Sequence, residues 1–285
     1  MTSIEQLLDA DDIVAEIRME RQAFNGAFIL IEGSSDARRF EQFLDLDRAS
    51  LVNCWGRSKL LIASGKLNSA GFTGFVALAD ADFDRVKGTL ENIDNVIYSD
   101  NHDFEIDTVR TSAFAKYLKE VGNVTLCKDI GDHDVIRTRI AEALAPLSAA
   151  KFANILGVIN YKLSEMNWLP CLADLQINKE KLAFTILRRE SPDRERIAAL
   201  VDIIDRHMPS DLWQSTNGHD FCAALGVSLR GTLADRKHPQ TTPDEVEKHL
   251  RLALSEADFR NMGVYRSLRQ WQSDNNIRLL TEHLC

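Results

Sequence analysis

No stretch of the 285-residue chain approaches the run of about 18–20 apolar residues that crosses a membrane. The five cysteines, Cys54, Cys127, Cys171, Cys222 and Cys285, are odd in number and never form a CxxC pair. That argues against a disulfide framework and against a thiolate zinc site. Basic charge is in deficit: 43 Asp plus Glu against 34 Lys plus Arg, a net charge of −9. A protein that coats nucleic acid normally carries a basic face, so this balance weighs against one. A metal site rich in carboxylates, however, makes the bare sequence look more acidic than the working protein is. The opening residues MTSIEQLLDADDIVAEIRME are acidic and amphipathic, which does not fit a secretory signal. Internal repeats, low-complexity linkers and a GxxxxGK[ST] nucleotide loop are also missing. These absences lead us to expect a soluble, reduced, cytoplasmic protein without a membrane partner.

Short apolar runs alternate with helical spacing over the first half. A helix is predicted over 8–24, with Ile13, Ile17, Met19 and Phe24 among its apolar positions, followed by a strand at 27–32. A helix at 35–46 carries Phe40, Phe43 and Leu44, and SLVNCW (50–55) is a second strand. A helix at 58–70, a strand in GFVALADADFD (74–84) and a strand at 95–100 continue the pattern, and another helix starts near Asp103 and runs through Val109 and Phe114. This alternation predicts an α/β fold with a parallel sheet covered by helices. From about residue 132 the chain reads as mostly helical, with Pro146 expected to kink or divide one helix. Ser191-Pro192 and Thr242-Pro243 read as cap and first position of two more helices, while KLAFTIL (181–187) is open to strand or helix. The division expected is a metal-binding domain over 1–130 and a helical region over 131–285, for partner docking or substrate contacts.

The sheet is expected to end in acids. Glu32 closes the first strand and Asp36 sits at the start of its helix; Asp80 closes the third, with Asp82 and Asp84 behind it; SDNHDFEID supplies Asp100, Asp103 and Glu105 after the fourth. The carboxyl ends of parallel strands point one way, so these acids are expected on one edge. Crowded carboxylates repel unless a cation neutralises them, and hard oxygen ligands without cysteine suit Mg²⁺ or Mn²⁺. Taken singly, a DxD in a loop or an EGxxD turn with a capping Asp needs no metal. Gly33 is expected to allow a tight turn close to a metal or phosphate. Arg57, Lys59 and Lys66 are candidates for contacts to a nucleic-acid backbone, or else a solvated helix face. His102 is a candidate metal or phosphate ligand, or else a helix-start contact. His219 and Asp220 read as a helix entry capped by Asn217 or Asp220, and the four tryptophans, Trp55, Trp168, Trp213 and Trp271, as core residues.

LIEGSSDARRF, VALADADFD and HDFE together resemble the Toprim domain of topoisomerases, bacterial primases and the OLD nucleases. The longer combination IRMERQ, FILIEGSSD, ALADADFDR and YSDNHDFEID is similar to the AriB-like effectors of PARIS anti-phage defence systems, and NGHDFCAAL (217–225) also looks like that family. The match covers residues 10–110. The resemblance implies a two-metal phosphodiesterase that cuts RNA, tRNA included, or DNA. Glu32 would be a metal ligand or the base that activates water, Asp36, Asp80 and Asp82 would hold metal, and Glu105 would complete the second site. Asp103 stands where the OLD nucleases have the Ser of a Ser-x-Glu pair, and Lys162 is at a plausible distance for their downstream lysine. The resemblance further implies a toxic effector, dimeric when active, that an ABC- or SMC-like ATPase holds in check. Two other readings stand beside it: a haloacid-dehalogenase-type phosphatase with its DxD at the end of FVALADADFD, and a non-catalytic Toprim-like docking module.

Overall fold

The apolar run AFILI can bury both faces only inside a sheet, and that is where it lies. The computed structural model describes residues 8–284. These fold as two compact units: the first holds the described residues to Ala81, Thr89–Asp100 and the described residues from Ser255, and the second holds Asp82–Gly88 and Asn101–Leu254.

In the first unit, helix α1 (Ala10–Glu20) is started by a reciprocal capping box between Asp9 and Asp12 and buries Ala10, Ile13, Val14 and Ile17. It is shorter than predicted and leaves Met19 exposed, because residues 21–26 wrap back so that Arg21 can donate to the carbonyls of Phe24, Gly26 and Gly74. Strands β1 (Ala27–Ile31), β2 (Ala49–Asn53), β3 (Phe75–Ala79) and β4 (Val96–Tyr98) form one sheet in the order β2-β1-β3-β4, every pair parallel. The crossovers from β1 to β2 and from β2 to β3 run through α2 (Ser34–Phe40) and α3 (Arg57–Ser69), as parallel neighbours require. All residues of β1 and β3 are buried, and α1 and α3 cover the face carrying Phe28, Leu30, Phe75 and Ala77. β3 stops at Ala79 rather than continuing to residue 84.

The second unit begins with the short helix α4 (Asp84–Lys87). The helix predicted from Asp103 through Phe114 is two, α5 (Phe104–Val109) and α6 (Ser112–Val121), because the Thr111 side chain caps a new start. After α7 (Val124–Ile130) comes α8 (His133–Ile155), which runs through Pro146 unbroken. An internal proline costs about 3 kcal/mol; here every residue from Ala143 to Ala150 is buried, and packing on all sides offsets the missing bond. The hairpin β5 (Leu172–Ala173) and β6 (Gln176–Ile177) turns on Asp174 and Leu175, both at positive φ. KLAFTIL lies in helix α9 (Lys179–Leu187), with Leu182, Ala183, Ile186 and Leu187 buried at helical spacing. Helix α10 (Arg194–Arg206) is capped by Asp193, not Ser191, which is turned into the left-handed region and leaves Pro192 outside the helix. Helix α11 (Gly218–Ser228) is capped by Asn217, and α12 (Pro243–Ala253) starts as predicted with Thr242 and Pro243. One apolar core joins α5, α6, α8, α9, α11 and α12.

The chain then returns to the first unit with α13 (Glu256–Asn261) and α14 (Gly263–Asn275). Phe259 stacks on Phe43 at 4.1 Å, and Trp271 donates its indole N–H to Asn95 beside β4. The division expected near residue 130 therefore does not match these units: the sheet unit ends at the C-terminal side of the chain, and a truncation from about residue 190 would remove part of it. Among the described residues, no helix is long and apolar enough to cross a membrane. Cys54, Cys127, Cys171 and Cys222 are free, and Cys285 lies outside the described residues, as do the first seven residues of the acidic opening sequence.

Candidate active site

Parallel pairing carries the ends of β1 and β3 to the same edge of the first unit, with Ile31 in register with Leu78. Glu32 and Asp80 follow those ends. One Glu32 carboxylate oxygen, Oε1, accepts the Asp80 backbone N–H at 2.7 Å, and the Glu32 carbonyl accepts the Gly56 N–H at 2.8 Å. Glu32 is thus tied to the chain on both sides of its own strand. Gly56 has φ 120° and Trp55 before it φ 54°, so the turn after β2 needs left-handed backbone twice. Trp55 is exposed there, whereas Trp168 and Trp271 are buried as predicted and Trp213 is partly buried. Gly33 is extended and an added Cβ would meet nothing, so it makes no tight turn; what it gives is open space beside Glu32.

The other predicted residues of this unit are engaged differently. Asp36 is buried and accepts from the fully buried Arg39 at 2.8 Å. Asp100 accepts the Gly263 N–H at 2.6 Å at the start of α14, where any Cβ would strike its carboxylate. Arg57 donates Nε to the Asp80 carbonyl at 2.8 Å, which makes it a brace for the end of β3. Lys59, in the first turn of α3, is partly buried. Lys66 lies in the last turn of α3, more than two helical turns from Arg57 and away from the acidic edge, and pairs with Asp11 at 2.6 Å.

The second unit holds the remaining acids. Asp82 has φ 48°, a strained value for a residue with a side chain, and its N–H donates to the His102 carbonyl at 2.7 Å. His102 is buried, with Nδ1 3.2 Å from the Gln214 carbonyl, Nε2 3.9 Å from an Asp82 carboxylate oxygen and its ring edge-on to Phe83. Burial pushes the imidazole below its ordinary pKa; Asp82 and the Gln214 carbonyl oppose that shift, and Lys151 adds to it. The ammonium of Lys151, on α8, pairs with Asp220 of α11, and both lie close enough to act on His102.

Asp103 has both oxygens committed: Oδ1 takes the Ile106 N–H at 2.8 Å as the cap of α5, and Oδ2 takes the Gly218 N–H at 2.6 Å at the start of α11. The sequence assigned it to a metal; the structure uses it at two helix starts. Glu105 packs against Gly218, where a Cβ would lie 2.1 Å from the Glu105 Cβ. HDFE and NGHD are therefore one joint. Lys162 does not fit the role given to it: its side chain is 76% exposed, its ion pair is with Glu165 at 3.8 Å, and it lines a cavity of about 150 Å³ with Tyr161, Met166 and Arg188. Lys151 was missed, though a single lysine inside the otherwise apolar AAKFA segment is a signal the sequence does carry.

Among the described residues, no group of three or more His, Cys, Asp or Glu side chains is gathered to hold a metal ion. The donor chemistry at the sheet edge nevertheless suits a hard divalent cation, since Glu32 and Asp80 bring carboxylates to adjacent strand ends, while the neighbouring Cys54 is fully buried and its thiol pKa is pushed up to about 12, chiefly by burial. The chain matches no protein-family model, and no curated protein matches it.

Proposed function

We propose that the chain is a metal-dependent nuclease of the Toprim type, hydrolysing phosphodiester bonds of RNA or DNA. The observation that carries this reading is the pairing of Glu32 and Asp80 at adjacent parallel strand ends, with the Glu32 carboxylate oriented by the Asp80 N–H. Glu32 and Asp80 would hold Mg²⁺ or Mn²⁺, which when bound supplies Lewis-acid stabilisation of the charge that develops at phosphorus. Glu32 is the group suited to take the proton of the attacking water, and Arg57 keeps Asp80 in place through its carbonyl. In the second unit, Lys151 is partly buried and fixed by Asp220, whereas Lys162 is largely exposed and pairs only loosely with Glu165. The resemblance to the AriB-like effectors supports a role as a toxin restrained by an ATPase partner, to be sought by co-purification.

The test is cleavage of tRNA and plasmid DNA by the purified chain in Mg²⁺ or Mn²⁺ and in EDTA, beside a small phosphate ester. Polynucleotide cleavage that needs metal is expected. Cleavage that persists in EDTA, or turnover of the small ester alone, would overturn the reading, the latter in favour of a phosphatase. In the same assay, Lys162→Ala should stay within about twofold of wild type, because its side chain is largely exposed. A loss of about a hundredfold or more would return the role to Lys162.

A further inference from the structure

A second charged feature of the first unit lies at the other edge of the sheet. A cavity of about 490 Å³ is lined by Arg48, Arg269 and Arg278 together with Gln272, Ser273 and Asn276. Arg48 immediately precedes β2, and Ile277, also in the lining, approaches the Gly74 position just before β3, so the cavity sits where strands begin. Glu32 and Asp80 follow strand ends, five residues or about 17 Å further along. The two features are separate.

We infer that this cavity binds a phosphate-bearing ligand of nucleotide size. In a chain with nine more acids than bases, three guanidinium groups meet on one cavity whose lining contains no carboxylate. Asp45 lies 3.6 Å from Arg48 and 3.7 Å from Arg278, within ion-pair range of both and beyond a good hydrogen bond to either. Glu282 reaches Arg278 at 3.4 Å but is 83% exposed, so water screens it. Among the described residues, three cations face two carboxylates, which leaves positive charge uncompensated.

A simpler account would have the arginines neutralise the C-terminal end of α14. The end of that helix is already closed: Asn276, at φ 52°, donates its N–H to the Ser273 carbonyl, and the Ile277 N–H reaches the Gln272 carbonyl at 3.2 Å. Two of the arginines are themselves positioned by main-chain carbonyls, Arg269 by Leu284 at 2.9 Å and Arg278 by Leu280 at 3.3 Å. Held guanidinium groups match the oxygens of a phosphate in paired hydrogen bonds. The volume falls within the range of small-ligand pockets, and Ser273 and Asn276 add neutral polar groups.

The experiment is done in EDTA, so that it reads nothing of a metal at Glu32 and Asp80. Thermal melting and calorimetric titration are run with inorganic phosphate, with AMP and with a single strand of about 12 nucleotides, against NaCl at matched ionic strength. AMP is expected to raise the melting temperature by a few degrees, and Arg48→Gln and Arg269→Gln are each expected to weaken its binding at least about tenfold. Arg48 is largely exposed, so its variant keeps the fold. Tighter binding of the oligonucleotide than of AMP would identify the phosphate as that of a nucleic acid; equal or weaker binding would identify a free nucleotide. No shift beyond the NaCl control, or wild-type affinity in a folded double variant, would overturn the assignment.

Discussion

Glu32→Gln is expected to reduce metal-dependent cleavage by about a thousandfold or more while the protein melts as wild type does. The substitution isolates charge from shape. The glutamine Oε1 can still accept the Asp80 N–H, and the main-chain bond from Gly56 to residue 32 does not involve the side chain. In the proposed mechanism, what disappears is the negative charge that would draw a divalent cation and the basicity that would take a proton from water. Asp80→Asn should behave alike, because the two main-chain groups of residue 80, bonded to Glu32 and Arg57, are untouched. Cleavage rates in Mg²⁺ and melting in EDTA, measured on the same preparations, check both parts. Full activity in the two variants would remove the proposed mechanism. Loss of activity together with loss of fold would show that the pair holds the sheet edge instead.

The features legible in the sequence are those fixed by neighbours in the chain. AFILI and FVALA read as strands because an apolar run of that length, bounded by a turn, can bury both faces only in a sheet; their parallel pairing follows from the helical segments between them. Glu32 and Asp80 stood out because a charge directly after such a run is delivered to the sheet edge. The sequence was misleading where distant residues decide. The expected break at Pro146 is overruled by burial on all sides of α8, and residues from Ser255 onward rejoin the sheet unit through Phe259 and Trp271, contacts with no local signature. Asp103 is the sharpest case. In HDFE it looks like one more ligand, and only the position of Gly218, 115 residues later, shows where its second oxygen goes.

That difference makes Asp103→Ala a decisive variant. The substitution removes the cap of α5 and leaves the buried Gly218 N–H without its acceptor. A lost cap costs about 1 kcal/mol and an orphaned buried donor about 1–3 kcal/mol. The sum, roughly 2–4 kcal/mol, should lower the melting temperature by roughly 5–10 °C in a chain of this size. Asn at this position should fall between wild type and Ala, since its amide oxygen can satisfy one N–H while its NH₂ faces the other. Gly218→Ala should destabilise in the same direction, because the new methyl would overlap the Glu105 side chain. A metal ligand would behave in the opposite way: removing one carboxylate from a crowded acidic site relieves repulsion, so the metal-free protein would melt at the same temperature or higher, and the stabilisation given by Mg²⁺ would vanish. Melting Asp103→Ala with and without Mg²⁺ separates the two roles in one experiment. The committed oxygens of Asp103 predict a large loss in EDTA, with the gain from Mg²⁺ left intact.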